Sequence, residues 1–343
     1  MIGLELGTRD LRAVWISAGG AIEAARSVEL PWTAPTGALP AVADVAKLRR
    51  PLAALLKGGP RRDGPAAMAL PAQGVPVCFR ELDRFADFSP EERAYTLWRI
   101  KQTLPLALRT GHAVAYQHVA TVAGTDARRF RLLVTAAPEA IVQALGDALA
   151  DAGLECRGFL PDALAAANVA EAELEAQGGV TAWVQVATSG TVLMLMDAGV
   201  PVEYRLLEWG VNRMTAQLAA LMNCPLDNAL EVLSSGRLLA AKPAAPADLA
   251  LAGACLVPFM HELQLSLDHQ LAKAGSRRLA RVVLAGRGAG VPGLADLVAD
   301  LVGAPCAPMH AGLAGPGLPA GQEGLYAGAL GAARALESTA VVA

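Results

Sequence analysis

Two strand–turn–strand openings, one in each half of the chain, constrain the fold more than any other feature. The first is a strand at residues 2–6, a turn at Gly7 to Asp10 and a returning strand at 11–17. The second follows Gly178-Gly179: a strand from Thr181 to Val186, a turn through Ala187-Thr188-Ser189-Gly190, and a return from Thr191 to Met196. Alternating or continuous apolar residues bounded by small turn residues are the local signature of such hairpins. Their repetition predicts two related lobes facing a cleft. A chain of 343 residues is long enough for two domains or one large two-lobed fold.

Between and after the openings the chain alternates strands and helices. Residues 41–58 read as an amphipathic helix ended by Gly58-Gly59-Pro60, and Ala66 to Leu70 as a buried strand closed by Pro71. A small α+β unit follows, with a strand from Val75 to Leu82. Ser89-Pro90-Glu91-Glu92 then starts a helix, because Ser caps free N–H groups, Pro suits the first turn and acids face the positive helix end. Strands at 113–121 and 130–136 and a helix from Pro138 to Gly153 complete it. After the second hairpin come a strand from Val202 to Leu207, a helix from Trp209 to Met222 and a mostly helical stretch at 225–272 broken at 240–247. The strand Leu279 to Leu284, the turn Ala285 to Gly290, the helix Leu294 to Val302 and a closing helix Glu323 to Glu337 finish the chain.

Composition excludes several function classes. Aromatic residues make up 4% of the chain, too few for a single-strand nucleic-acid stacking platform, and the net charge of −3 gives no pull toward nucleic acid or anionic lipid. The clusters Arg49, Arg50, Lys57, Arg61 and Arg62, then Arg128, Arg129 and Arg131, then Arg277, Arg278 and Arg281 read as solvated faces, with contact to phospholipid heads as the alternative. Five scattered cysteines without a Cys-x-x-Cys pair fit a reducing compartment. No signal-peptide pattern and no run of ~18–20 apolar residues is evident, so a cytoplasmic location is expected. His261 and His269, eight residues or ~12 Å apart on one helix, are too distant to share a metal. Ser189 lacks the Gly-x-Ser-x-Gly elbow of a nucleophile. The other histidines are His112, His118 and His310, and no catalytic residue or metal site is assigned.

Gly3-Leu4-Glu5-Leu6-Gly7 resembles the first phosphate hairpin of the actin-like (ribonuclease H-like) fold, in which turn amides of two hairpins approach nucleotide phosphates. An ordered set of further segments resembles the PilM-type proteins of type IV pilus assembly, relatives of the cell-division protein FtsA. These segments are Ala69-Leu70-Pro71, Ala152-Gly153-Leu154 with Pro161-Asp162, Tyr204-Arg205-Leu206-Leu207 with Gly210, Leu284 to Ala289 with Gly293-Leu294, and Tyr326 to Ala333. The resemblance implies an α/β, actin-like two-lobed fold with a small inserted α+β subdomain in the first lobe. It divides the chain into first lobe 1–75, inserted unit 76–155, first lobe 156–180, second lobe 181–224, a helical subdomain 225–275, and second lobe with closing helix 276–343.

On that resemblance a nucleotide cleft falls on Glu5, Gly7, Thr8, Gln185, Thr188, Gly286, Arg287 and Gly288. ATP with magnesium is the ligand it implies. The pattern is degenerate: Gln185 and Ala187 stand where the family has an acid and a glycine, and Arg287 interrupts the glycine run. Leu230 and Leu233 replace the acid and lysine of the adenosine helix, with Glu231 one place late. Either no cofactor or only bound ATP follows, and hydrolysis is not expected. Arg287 is expected to fill the base pocket or to pair with a phosphate. The resemblance further implies a scaffold at the cytoplasmic face of the inner membrane. Its partner would be a PilN-like protein, which offers a short N-terminal cytoplasmic peptide to a groove around residues 76–136. Membrane contact would come only through that partner, and self-association is left open. The alternatives are an ATP-dependent switch on the same fold and a GspL-like platform protein of type II secretion.

Overall fold

The structure, a computed structural model, describes residues 1–31, 39–61, 63–123, 128–170, 174, 179–239, 246–275, 277–309, 315, 318 and 323–337. Gly178 of the expected junction, His310 and most of the expected break at 240–247 lie outside the described residues. In chain order the first elements are β1 (Ile2–Leu6), β2 (Asp10–Ile16), β3 (Ile22–Glu29), α1 (Val42–Val45), α2 (Arg49–Lys57) and β4 (Gly64–Leu70). Next come β5 (Val77–Leu82), α3 (Pro90–Thr103), α4 (Leu106–Arg109), β6 (His112–Ala123), β7 (Arg128–Pro138), α5 (Glu139–Asp151), β8 (Leu154–Pro161) and α6 (Asp162–Val169). The second half contains β9 (Val180–Val186), β10 (Thr191–Asp197), β11 (Val200–Leu207), α7 (Val211–Met222), α8 (Leu226–Ser234), α9 (Pro246–Lys273), β12 (Leu279–Ala285), α10 (Leu294–Val302), β13 (Cys306–Pro308) and α11 (Ala327–Ala335).

The duplication is explicit in the sheets. One has the order β3-β2-β1-β4-β8 and the other β11-β10-β9-β12-β13. In each, a three-stranded antiparallel meander joins two parallel strands. Both faces of each sheet are covered, which is why β9 reads as the nearly continuous apolar run Val-Thr-Ala-Trp-Val-Gln-Val. Ile2, Leu4 and Leu6 of β1 pack outward on α2 and α5, through Leu52, Leu55, Leu145 and Leu149. The outer face of the second sheet packs on α7 to α10. The inner faces meet across α6 and α11, where Val14, Ile16, Ala166, Trp183, Met194 and Leu330 form one core.

The two-residue period of β1 turns Gly3 and Glu5 inward, opposite to its leucines. Gly3 is required there: a Cβ would lie 1.8 Å from the Ala329 carbonyl oxygen and 2.5 Å from the Ala333 nitrogen of α11. Gly331 gives α6 the same close approach, since its Cβ would lie 1.7 Å from the Ala165 carbonyl oxygen.

The inserted unit is the three-stranded sheet β5-β7-β6 with α3 and α4 over it, cored by Leu82, Ile100, Leu104, Leu132 and Val134. The expected helix start is present. Ser89 Oγ accepts from the Glu92 N–H at 3.2 Å, and Glu92 Oε2 accepts from the Ser89 N–H at 3.1 Å. Three expectations change. Helix α5, read as the end of the inserted unit, buries Ile141, Leu145 and Leu149 in the core of the first sheet. The closing helix, assigned with the second lobe, packs on β1, β2, β4 and α6 of the first. Arg131, grouped with solvated arginines, lies over the Phe79 ring at 4.6 Å and pairs with buried Glu203 of β11 at 3.2 Å, so it ties the inserted unit to the second lobe.

The close helix–sheet approach is testable by urea unfolding. Gly3→Ala is expected to lose about 1–3 kcal/mol or more through forced displacement of α11. Gly146→Ala in α5, where an added Cβ meets nothing within 4 Å, is expected to gain up to about 1 kcal/mol from helix propensity.

Candidate functional site

The two hairpins and the turn after β12 converge on one cleft between the sheets, lined by Glu5, Gly7, Thr8, Gln185, Thr188, Gly286 and Arg287 among others. Seven of the eight residues expected there are thus brought together. Gly288 is the exception: it packs behind the cleft, where a Cβ would lie 2.4 Å from the Val186 Cβ. Gly286 has φ +74°, and its Cβ would lie 2.8 Å from the Val186 carbonyl oxygen, so backbone conformation and space both demand glycine. Arg287 is exposed at the mouth rather than filling the cleft.

The residue that fills it is Arg12. The turn closes with the Gly7 N–H donating to the Asp10 carbonyl at 2.8 Å, and this register sets Arg12 opposite Glu5. Arg12 Nη1 donates to Glu5 Oε1 at 2.7 Å and to the Leu325 carbonyl at 2.8 Å. Its Nη2 and Nε donate to the two Asp10 carboxylate oxygens at 2.8 and 2.9 Å, a bidentate pair. Glu5 Oε2 accepts from the Ala329 N–H at 3.2 Å. Burial works against the Arg12 cation, but Glu5 and Asp10 together outweigh it and hold it charged. Burial also pushes the Glu5 carboxyl up, against the pull of Arg12.

Asp162, the first residue of α6, lines the same cleft and accepts from the Ala72 N–H at 3.1 Å. Burial, reinforced by the Glu5 charge, pushes its carboxyl up to about 7. Burial, with the Asp162 charge, also raises the phenol of Tyr204, whose buried hydroxyl has no hydrogen-bond partner among the described residues.

The second hairpin mirrors the first without its charges. Gln185 occupies in β9 the inward position that Glu5 occupies in β1, and its cross-strand neighbour is Val192 rather than an arginine. Its Oε1 is buried without a partner among the described residues. The turn carbonyls of Ala187 and Thr188 accept from the Val211 and Asn212 N–H groups at the start of α7. The cleft's cavity is about 60 Å³, the bulk volume of about two waters, against ~300–1,000 Å³ for small-molecule sites.

Neither Arg12 nor Asp162 was identified from sequence as lining the cleft. Arg12 had one signal, a lone arginine in the otherwise apolar Leu-Arg-Ala-Val-Trp-Ile. The antiparallel register places that arginine opposite Glu5. Asp162 carried only its place after Pro161.

The chain matches no family model and no curated protein. Among solved structures it is similar to a PilM–PilN type IV pilus biogenesis complex, with TM-score 0.78, 22% identity and 98% of both chains covered. It is also similar to the ethanolamine utilization protein EutJ from Carboxydothermus hydrogenoformans, with TM-score 0.55 and 16% identity over 97% of this chain and 88% of that one. A third is the MamK double helical filament, with TM-score 0.57 and 11% identity over 98% of both. The fold is therefore actin-like, of the PilM-like kind. Among the described residues no helix is long and apolar enough to cross a membrane.

The Asp162 shift has a defined sign. Its carboxyl titrates higher in the folded chain than the ordinary value of 3.8, so its stabilising contribution is full below pH ~4 and is lost as pH rises through ~7. Asp162→Asn keeps the acceptor for the Ala72 N–H but cannot ionise. It is expected to melt at least about 2 °C above the parent at pH 8 and to lose that advantage at pH 4.5, as read by thermal denaturation.

Proposed function

We propose that the chain is a PilM-like scaffold of a type IV pilus or related inner-membrane assembly machine. It binds a short cytoplasmic peptide of a PilN-like membrane protein and carries a degenerate nucleotide cleft. The observation that carries this reading is the likeness to the PilM–PilN complex over 98% of both chains, which takes in the inserted unit as well as the two lobes. That partner would hold the chain at the cytoplasmic face of the membrane.

The inserted unit supplies a surface suited to such a peptide. Strand β6 is an edge of its sheet, pairing among the described strands with β7 alone. An unpaired strand edge offers a row of N–H and C=O groups to an extended segment. The opposite edge strand, β5, faces β11, where Arg131 and Glu203 close the contact. We place the peptide along β6, within the groove expected around residues 76–136.

The cleft does not suit Mg·ATP. A metal-bound phosphate needs the acids of the hairpins, and Glu5 and Asp10 are already engaged by Arg12. The cavity is a fraction of a nucleotide site, and Gln185 brings no charge to the second hairpin.

The test is calorimetric titration with a synthetic peptide of the partner's cytoplasmic N-terminus. Val77 pairs with Thr135, so the ends of the inserted unit lie side by side and a short Gly/Ser linker can replace residues 77–136. The parent is expected to bind, and the excised form to bind at least ~10-fold more weakly, a loss of about 1.4 kcal/mol. A parent that ignores the peptide, or a folded excised form that binds it equally well, contradicts the proposal.

A further inference from the structure

The two faces of the inserted sheet differ in character. Side chains two apart share a face, and cross-strand partners stand together. One face therefore carries Leu132 and Val134 of β7 with Leu82 of β5, sealed by Ile100 and Leu104. The other carries Arg131, with Glu81 directly opposite it on β5 and Phe79 one step along. The apolar core of the unit is separate from the cores of the two lobes. The chain enters the unit at Pro76 and leaves it at Pro138, and these crossings lie side by side. The Ala136 N–H donates to the Pro76 carbonyl at 3.1 Å, and Val77 pairs with Thr135. A body with its own core, joined by two adjacent strands, can turn about them.

On the far side the unit meets the second lobe, where β5 and β11 lie edge to edge but belong to different sheets. Among the described residues, the hydrogen bonds and ion pair across this junction are all made by Arg131. Its Nη2 donates to the Val202 carbonyl and to Glu203 Oε1 at 3.2 Å. Junctions that are polar and small permit relative motion of the parts they join.

Breaking a buried ion pair normally leaves a charge uncompensated. Here each member has a second partner. Glu203, 6% exposed, also accepts from Lys273 Nζ of α9, in its own lobe, at 2.8 Å. Arg131 has Glu81 across its own sheet, whose half-exposed carboxylate meets Arg129 only at 3.9 Å. The Phe79 ring, 4.6 Å from the guanidinium, stands on β5 as well and travels with it. The arrangement seen leaves Arg131 Nε buried without a partner among the described residues. Two arrangements thus exist in which no charge is orphaned, the condition for an element with two discrete positions.

We propose that Arg131 is a two-position latch. Held by Glu203, it keeps the inserted unit closed on the second lobe. Turned to Glu81, it lets the unit swing away about the Pro76–Pro138 crossing and bares the β5 and β11 edges. The latch lies on the β5 side of the sheet and the proposed peptide on the β6 edge, so each can fail without the other.

The test is amide hydrogen exchange on the full chain, followed in segments 77–82 and 200–207, because exchange there reports opening of the junction. Glu203→Gln keeps an acceptor for Lys273 but gives up the charge that draws Arg131. It is expected to speed exchange in both segments at least ~3-fold, the scale of a partly exposed ion pair. Glu81→Gln removes the second position and is expected to slow exchange by a similar factor. Both variants are expected to leave β1 and β9 at the parent's rate, which separates opening of the junction from general loss of stability. A fixed bridge gives a different pattern, with Glu81→Gln exchanging as the parent does. That result overturns the proposal, as does a Glu203→Gln chain that leaves both segments unchanged or speeds β1 and β9 equally.

Discussion

One buried guanidinium joins the beginning of the chain to its end. Arg12 holds Glu5 across the first hairpin, Asp10 at the start of its own strand and the Leu325 carbonyl just before the closing helix. Glu5 then takes the Ala329 N–H of that helix. Four hydrogen bonds engage four of the five N–H donors of the cation, which offsets the cost of taking it out of water. Removing one member of such a network leaves the others charged and unpaired, at a typical cost of about 3–5 kcal/mol. That is a large part of the ~5–15 kcal/mol by which a domain is stable. The close contact of α11 with β1, possible only because residue 3 is glycine, brings Ala329 within reach of Glu5.

The duplicated architecture shows what is particular to each half. Both lobes present an inward residue at the end of their first strand, Glu5 in one and Gln185 in the other. In the first lobe that residue is charged and answered by an arginine. In the second it is neutral, faces Val192 across the strand pair, and has a buried oxygen without a partner among the described residues. The cleft is thus built asymmetrically, with Arg12 engaging the acids of the first hairpin on one side and no charge at Gln185 on the other. Arg287, exposed at the mouth, leaves the interior to Arg12.

Much of this was legible because local rules decided it. The hairpins follow from two-residue alternation around small turn residues, and the start of α3 from Ser89, Pro90 and Glu92. Elements decided by long-range packing were harder to read. Strands β3 and β8 carry Arg26, Glu155 and Arg157 in place of an apolar pattern, because much of each is solvent-facing. Helix α6 is Asp-Ala-Leu-Ala-Ala-Ala-Asn-Val, small on every side because it lies between two sheets, so it has no polar face for a period to reveal. The closing helix is evident as a helix, but β1 and β2, which it covers, are over three hundred residues away in sequence. The cleft glycines were visible as glycines, while the role of Arg12 depended on register: it faces Glu5 only because the turn at Gly7 closes as it does.

The central claim is that the cleft is closed by its own ion pairs and not by a nucleotide. Its most direct test is the melting temperature of the parent chain with and without 1 mM Mg·ATP. A site with a Kd near 10 µM would add about 2.7 kcal/mol of stability under those conditions. The account predicts an unchanged melting temperature. A rise of several degrees would mean that nucleotide displaces the Arg12 network, and would contradict it.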